Sequence, residues 1–105
     1  MTQPVAVLNT SIATEDGTYV LRTVTAEDAR QLIAGREILS AVGHDATAHA
    51  LSAVLGITVP VNRIQFAQQP GQDAVVFKLR GRLPEGQVLG IEEITAIGYD
   101  LFLCP

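Results

Sequence analysis

The period of the hydrophobic pattern changes several times along the chain, and each change marks an element. "PVAVLN" is a short apolar run ending in the polar group Asn9-Thr10-Ser11, which predicts a buried strand running into a loop. "TEDGTY" reads as a turn, and "TYVLRTV" predicts a second extended segment. At Thr25 the period becomes helical. T-A-E-D resembles a capping box, with Asp28 standing where Glu or Gln is preferred, and Ala29, Leu32 and Ile33 share one face up to Gly35 as the C-cap. "EILSAV", 37–42, is too short to assign. After His44, the residues Ala48, Leu51, Val54 and Leu55 form one apolar stripe that Gly56 ends, so a second helix is predicted.

Two strand-like runs follow, "VNRIQFAQ" and "DAVVFKLR", joined by "QPGQ". Pro-Gly fits the centre of a type II turn, so the pattern predicts a hairpin. Ile64 and Phe66 alternate with Arg63 and Gln65, and Val75, Phe77 and Leu79 alternate with Lys78 and Arg80. One face is therefore expected in the core, with cations on the other. "GRLPEGQVL" reads as a loop, "IEEITAIG" as a short helix with two acids in its first turn, and "YDLFL" as a last strand. Interleaved strands and helices predict a single α+β domain over 1–105, with a mixed β-sheet flanked by helices.

Composition narrows the functions open to such a domain. Of the 105 residues, 48% are apolar and 17% charged, which is the balance of a folded chain. One cysteine, Cys104, supports neither a disulfide nor a zinc site. There is no basic n-region and no apolar run near the roughly 20 residues that cross a bilayer, so no membrane partner and a cytoplasmic location are expected. A net charge of −4 argues against coating a long nucleic acid. Yet Arg63, Lys78, Arg80 and Arg82, four of the seven cations, fall between positions 63 and 82, where Asp73 is the one acid. A local positive surface on an acidic protein suits a compact anion.

The stretch "AVGHDATAHALSAVLG" puts His44 where a helix begins, within reach of a phosphate held by free N–H groups. From the residues alone, a histidine that merely ends a loop is the default. His49 reads as a solvated helix residue, Glu92 and Glu93 as helix-dipole partners, and alternating cations as a solvated sheet face.

The ordered set "LNTSI", "AVGHDATAHALSAVLG", "VPVNRIQ", "PGQDAVVFKLRGRLPEGQVL" and "EEITAIGY" resembles the viral ring nucleases, from Leu8 to about Tyr99. These are small anti-CRISPR proteins of archaeal viruses, with bacterial and phage relatives. The resemblance implies a homodimer that degrades cyclic tetra-adenylate, the second messenger of type III CRISPR defence; with two histidines and no paired carboxylates near His49, no metal or cofactor is expected. It implies His44, Arg82 and Glu85 as catalytic residues, and ligand binding by Asn9, Ser11 and Arg63; the basic cluster adds Lys78 as a ligand-binding candidate. Two positions depart from the pattern: Ala46 replaces a serine after Gly-His-acid, and Gly81 stands where glutamine often precedes the arginine.

The implied chemistry uses the substrate's own 2′-hydroxyl as nucleophile, giving linear di-adenylate with 2′,3′-cyclic phosphate ends. It needs in-line attack, charge stabilisation at the phosphorus and a proton for the leaving 5′-oxygen. Imidazole suits the last task, since it ionises near neutral pH. Arg82 is suited to donate two parallel hydrogen bonds to phosphoryl oxygens, and Glu85 to orient Arg82 or the attacking hydroxyl. The competing readings are a dimeric nucleic-acid-binding or regulatory protein without turnover, and a sponge that sequesters the cyclic nucleotide.

Overall fold

A computed structural model describes residues 4–9, 16–81 and 90–105. Five strands form one sheet: β1 (Val5–Leu8), β2 (Arg22–Val24), β3 (Ile38–Ser40), β4 (Ala74–Leu79) and β5 (Tyr99–Cys104). The helices are α1 (Ala26–Ile33), α2 (Asp45–Leu55) and α3 (Ile91–Ile97). The spatial order β2-β5-β4-β1-β3 is mixed. β1 lies parallel to both β3 and β4, with Ala6 opposite Leu39 on one side and Ala74 on the other. β5 runs antiparallel to β4 and β2. The α+β domain expected from the pattern is the one observed.

Residues on both faces of the sheet are buried, and this explains the unbroken apolar run of β1. Val5, Val7, Val75, Phe77 and Leu101 point to a cluster that receives Ala29 and Ile33 of α1, Leu51, Val54 and Leu55 of α2, and Ile94 of α3. Ala6, Leu8, Ala74, Val76 and Cys104 belong to a second cluster, closed by Phe66 from the irregular segment 61–69. A strand buried on both sides gains from apolar side chains at every position, not every second one.

Local signals fix the helices. Thr25 caps α1 in a full capping box: its Oγ1 accepts from the Asp28 N–H at 3.1 Å, and Asp28 Oδ2 accepts from the Thr25 N–H at 3.4 Å. The C-cap of α1 is Ala34, with Gly35 next at φ +71°. Gly56 ends α2 in the left-handed region, at φ 69° and ψ 22°. Arg30 of α1 donates from Nε to the Val54 carbonyl at 2.9 Å, placing a cation near the negative end of α2.

Three expectations need correction. "VNRIQFAQ" is not a strand, because β4 is paired on both edges, by β1 and β5, and no edge is left for a hairpin partner. The Pro70-Gly71 turn remains, with Gly71 at φ 75° and the Gln72 N–H donating to the Gln69 carbonyl at 3.0 Å. β4 has no cationic face over most of its length. Its first four residues are buried, Lys78 is the first exposed one, and Arg80 follows the strand. The extended segment 18–24 contributes only Arg22–Val24 to the sheet. Conversely, "EILSAV" supplies β3, a strand too short to declare itself without β1 beside it. Among the described residues no helix is long and apolar enough to cross a membrane.

Candidate functional site

The carboxyl ends of the parallel strands β1 and β3 open onto one cavity of about 580 Å³, lined by Asn9, Ala41, Gly43, His44, Arg63, Ile64 and Gln65. Crevices beyond the carboxyl ends of parallel strands are the usual ligand sites of open sheets, because loops diverge there and helix N-termini point inward. Three elements assemble it. β1 delivers Asn9 immediately after its last residue, the link from β3 to α2 delivers Gly43 and His44, and segment 61–69 delivers Arg63.

His44 is the N-cap residue of α2, with φ −132° and ψ 135°, and its ring makes no capping hydrogen bond. The imidazole is therefore not spent on the helix. The first N–H groups of α2 also lack a side-chain cap, so the helix start presents donors and a partial positive charge beside His44. Asn9 Oδ1 is buried without a hydrogen-bond partner among the described residues. Such an acceptor is costly unless something donates to it.

Arg63 is held by its neighbour. Nε donates to the Gly43 carbonyl at 2.8 Å, which leaves the two terminal guanidinium nitrogens without a recorded partner among the described residues. Segment 60–63 is stitched to the exit of β3 by side chains. Ser40 Oγ donates to the Pro60 carbonyl at 2.6 Å, Asn62 Nδ2 to the Ser40 carbonyl at 2.8 Å, and the Asn62 N–H to the Val42 carbonyl at 2.8 Å.

The structure thus brings together His44, Arg63 and Asn9. Lys78 does not line this cavity; it is exposed on β4, in register with Asp100 of β5. Arg80 is committed elsewhere, in a bidentate pair with Asp100 at 2.7 and 3.2 Å. That hydrogen-bonded pair pushes the Arg80 pKa up and holds the Asp100 carboxyl below the usual aspartate range. The four cations clustered in the sequence are therefore not one surface. Ser11, Arg82 and Glu85 lie outside the described residues. Gly43, Asn62, Ile64 and Gln65 escaped the sequence reading. For the last three the signal is the run "VNRIQ" itself, whose polar residues serve local stitching and the cavity wall instead of a strand face; Gly43 carries none beyond its place before His44.

A second cleft, about 530 Å³, lies between α1 and β2 and is lined by Val24, Leu32, Val75 and Leu103 with Arg22 and Asp28. None of the candidate residues among those described lines it, and Asp28 is already engaged in the α1 cap.

Comparison with known proteins gives concordant relatives. The STIV B116-like family model matches residues 5–101. ORF117 of Acidianus two-tailed virus is 41% identical over 91 residues, covering 84% of this chain and 78% of its own. YddF of Bacillus subtilis (strain 168) is 31% identical over 102 residues, covering 94% of each. In structure, the chain is similar to B116 of Sulfolobus turreted icosahedral virus, with a TM-score of 0.78 and 23% identity over 97% of this chain and 98% of that one. This last likeness is one of fold.

Proposed function

Because the chain belongs to the STIV B116-like family and gathers His44, Arg63 and Asn9 around one cavity, we propose that it is a ring nuclease that opens cyclic tetra-adenylate without a metal. The observation that carries the reading is this convergence: an imidazole left out of helix capping, a guanidinium whose terminal nitrogens have no partner among the described residues, and N–H groups at the start of α2 without a side-chain cap. Together they suit a phosphodiester, whose oxygens accept hydrogen bonds and carry negative charge. Ile64, 42% exposed on the cavity wall, offers an apolar patch against which a base can lie.

In the proposed reaction the 2′-hydroxyl gives up its proton to solvent water as its oxygen attacks the adjacent phosphorus. The P–O5′ bond breaks as the new P–O2′ bond forms, and the departing 5′-oxygen takes a proton from the His44 imidazolium. Arg63 and the α2 N–H groups bind the anion. By the resemblance, Arg82 stabilises the pentacoordinate phosphorane and Glu85 orients Arg82 or the attacking hydroxyl. A two-fold dimer matches the repeated phosphates of the ring with two equivalent half-sites. Silencing of type III CRISPR effectors in a host-cell cytoplasm follows from removal of the messenger.

The test is incubation of the purified protein with cyclic tetra-adenylate in EDTA, followed by chromatography, with His44→Ala alongside. Linear di-adenylate is expected from the wild type. Loss of general acid help should slow His44→Ala by about 10²–10⁴-fold, with ligand binding retained. Activity that vanished in EDTA would refute the metal-free reading. Intact ligand that co-elutes with the protein would make it a sponge, and intact, unbound ligand would remove the messenger from consideration.

A further inference from the structure

We infer that Gly43 and Asn62 are positioning residues that lock Arg63 in a single orientation, so that its guanidinium meets a ligand phosphate preorganised. The inference rests on the reading of the cavity as a phosphodiester site.

The argument begins with the bare α-carbon of Gly43. A Cβ built there would meet Arg63 Cγ at 3.1 Å, and the next nearest atoms are Arg63 Nε at 3.8 Å and Cδ at 3.9 Å. All three belong to Arg63, so the arginine stem lies directly across the glycine. Gly43 does not have a positive φ, so no special backbone conformation calls for glycine. Its missing side chain is used as space. A Cβ there requires the stem to give by a few tenths of an ångström, against the bond that holds Nε to the Gly43 carbonyl at 2.8 Å.

Asn62 holds the same arginine from the chain side. It bonds β3's extension twice, through Nδ2 to the Ser40 carbonyl and through its N–H to the Val42 carbonyl, both at 2.8 Å. Ser40, 3% exposed, adds its own bond to Pro60 and accepts from the Val42 N–H at 3.3 Å. Segment 60–63 is thus fastened beside β3 by a side-chain ladder in place of a strand ladder. Arg63 follows immediately, exposed yet tethered at Nε. An exposed arginine ordinarily loses much rotamer freedom when it binds; here part of that cost is met before the ligand arrives.

Gly43→Ala is a selective probe, because the atoms it displaces first are those of Arg63. In the His44→Ala protein, which keeps the ring intact, Gly43→Ala and Asn62→Ala are each expected to weaken cyclic tetra-adenylate about tenfold, the scale of one hydrogen bond to a charged group. Neither should have an effect once Arg63 is alanine, since a positioning residue acts only through its client. In the free protein, the Arg63 Nε–H resonance should be protected from exchange and lose that protection in Gly43→Ala. Unchanged affinity in both variants, or equal losses with and without Arg63, would overturn the inference while leaving ring binding in place. If the protein with Arg63 intact does not bind the ring, the proposed function falls and inorganic phosphate becomes the probe. A phosphate-dependent shift of the Arg63 Nε–H signal that Gly43→Ala abolishes would uphold the inference on its own; no shift would refute it.

Discussion

Replacing Gln72 tests whether the long irregular connection before β4 is held by hydrogen bonds or by packing. Gln72 is 2% exposed, although it is polar and follows a turn. Its Nε2 donates to the Pro4 carbonyl at 3.0 Å, and its Oε1 accepts from the Gln69 N–H at 3.0 Å. One side chain therefore ties the entry to β1 to the turn that precedes β4. Gln72→Ala removes both bonds, at about 1 kcal/mol each. It also removes the burial of one methylene, worth about 0.8 kcal/mol. Gln69 is exposed, so water satisfies its N–H and no large penalty for an orphaned donor is added. The expected loss is about 3 kcal/mol, against a total stability of roughly 5–15 kcal/mol for a domain. For a chain of this length that corresponds to a fall in Tm on the order of 12 °C. Urea unfolding with an unchanged m-value, together with a thermal melt, reads the effect. Gln72→Leu keeps the bulk and discards the bonds, so it should still lose about 2 kcal/mol. A leucine variant as stable as the wild type would refute the hydrogen-bond account and assign the residue to packing.

Thr25→Ala removes the Oγ1 acceptor of the α1 capping box and should cost about 1 kcal/mol in urea unfolding. Gly56→Ala forces a Cβ into the left-handed C-cap of α2 and should cost about 1–2 kcal/mol, with faster amide exchange over the last turn of that helix. The bond from Arg80 lowers the Asp100 pKa from its ordinary value of 3.8. The stability this pair gives is therefore present at neutral pH, and it is lost as pH falls below the ordinary aspartate range through the folded midpoint. NMR titration of the Asp100 carboxyl should show a low midpoint that rises in Arg80→Gln; an unmoved midpoint would mean the pair is not formed in solution.

Legibility in the sequence followed the range of the interactions. The Thr25 cap, the α2 stripe and its Gly56 stop, and the strands of "PVAVLN", "DAVVFKLR" and "YDLFL" are set by residues a few positions apart, and each was readable. β3 was not, because three residues form a strand only when β1 lies alongside. Segment 61–69 mimics a strand in its alternating pattern, while Asn62 and Gln68 send its hydrogen bonds to the distant carbonyls of Ser40 and Cys104. The candidate site divides in the same way. His44 stands at a recognisable helix start. The use of Arg63 depends on a glycine and an asparagine whose part is visible only once the 40–43 and 60–63 stretches are side by side.

The place of β1 between β3 and β4 also sets the order in which the molecule can be made. The earliest of the five strands in chain order has one edge that finds its partner only at Ala74–Val76, far along the message. Until those residues emerge, Val5–Leu8 has β3 on one side and an open row of backbone donors and acceptors on the other. Every residue that lines the cavity has emerged by Gln65, so a chain stopped before β4 holds the lining of the site beside an open, sticky strand edge.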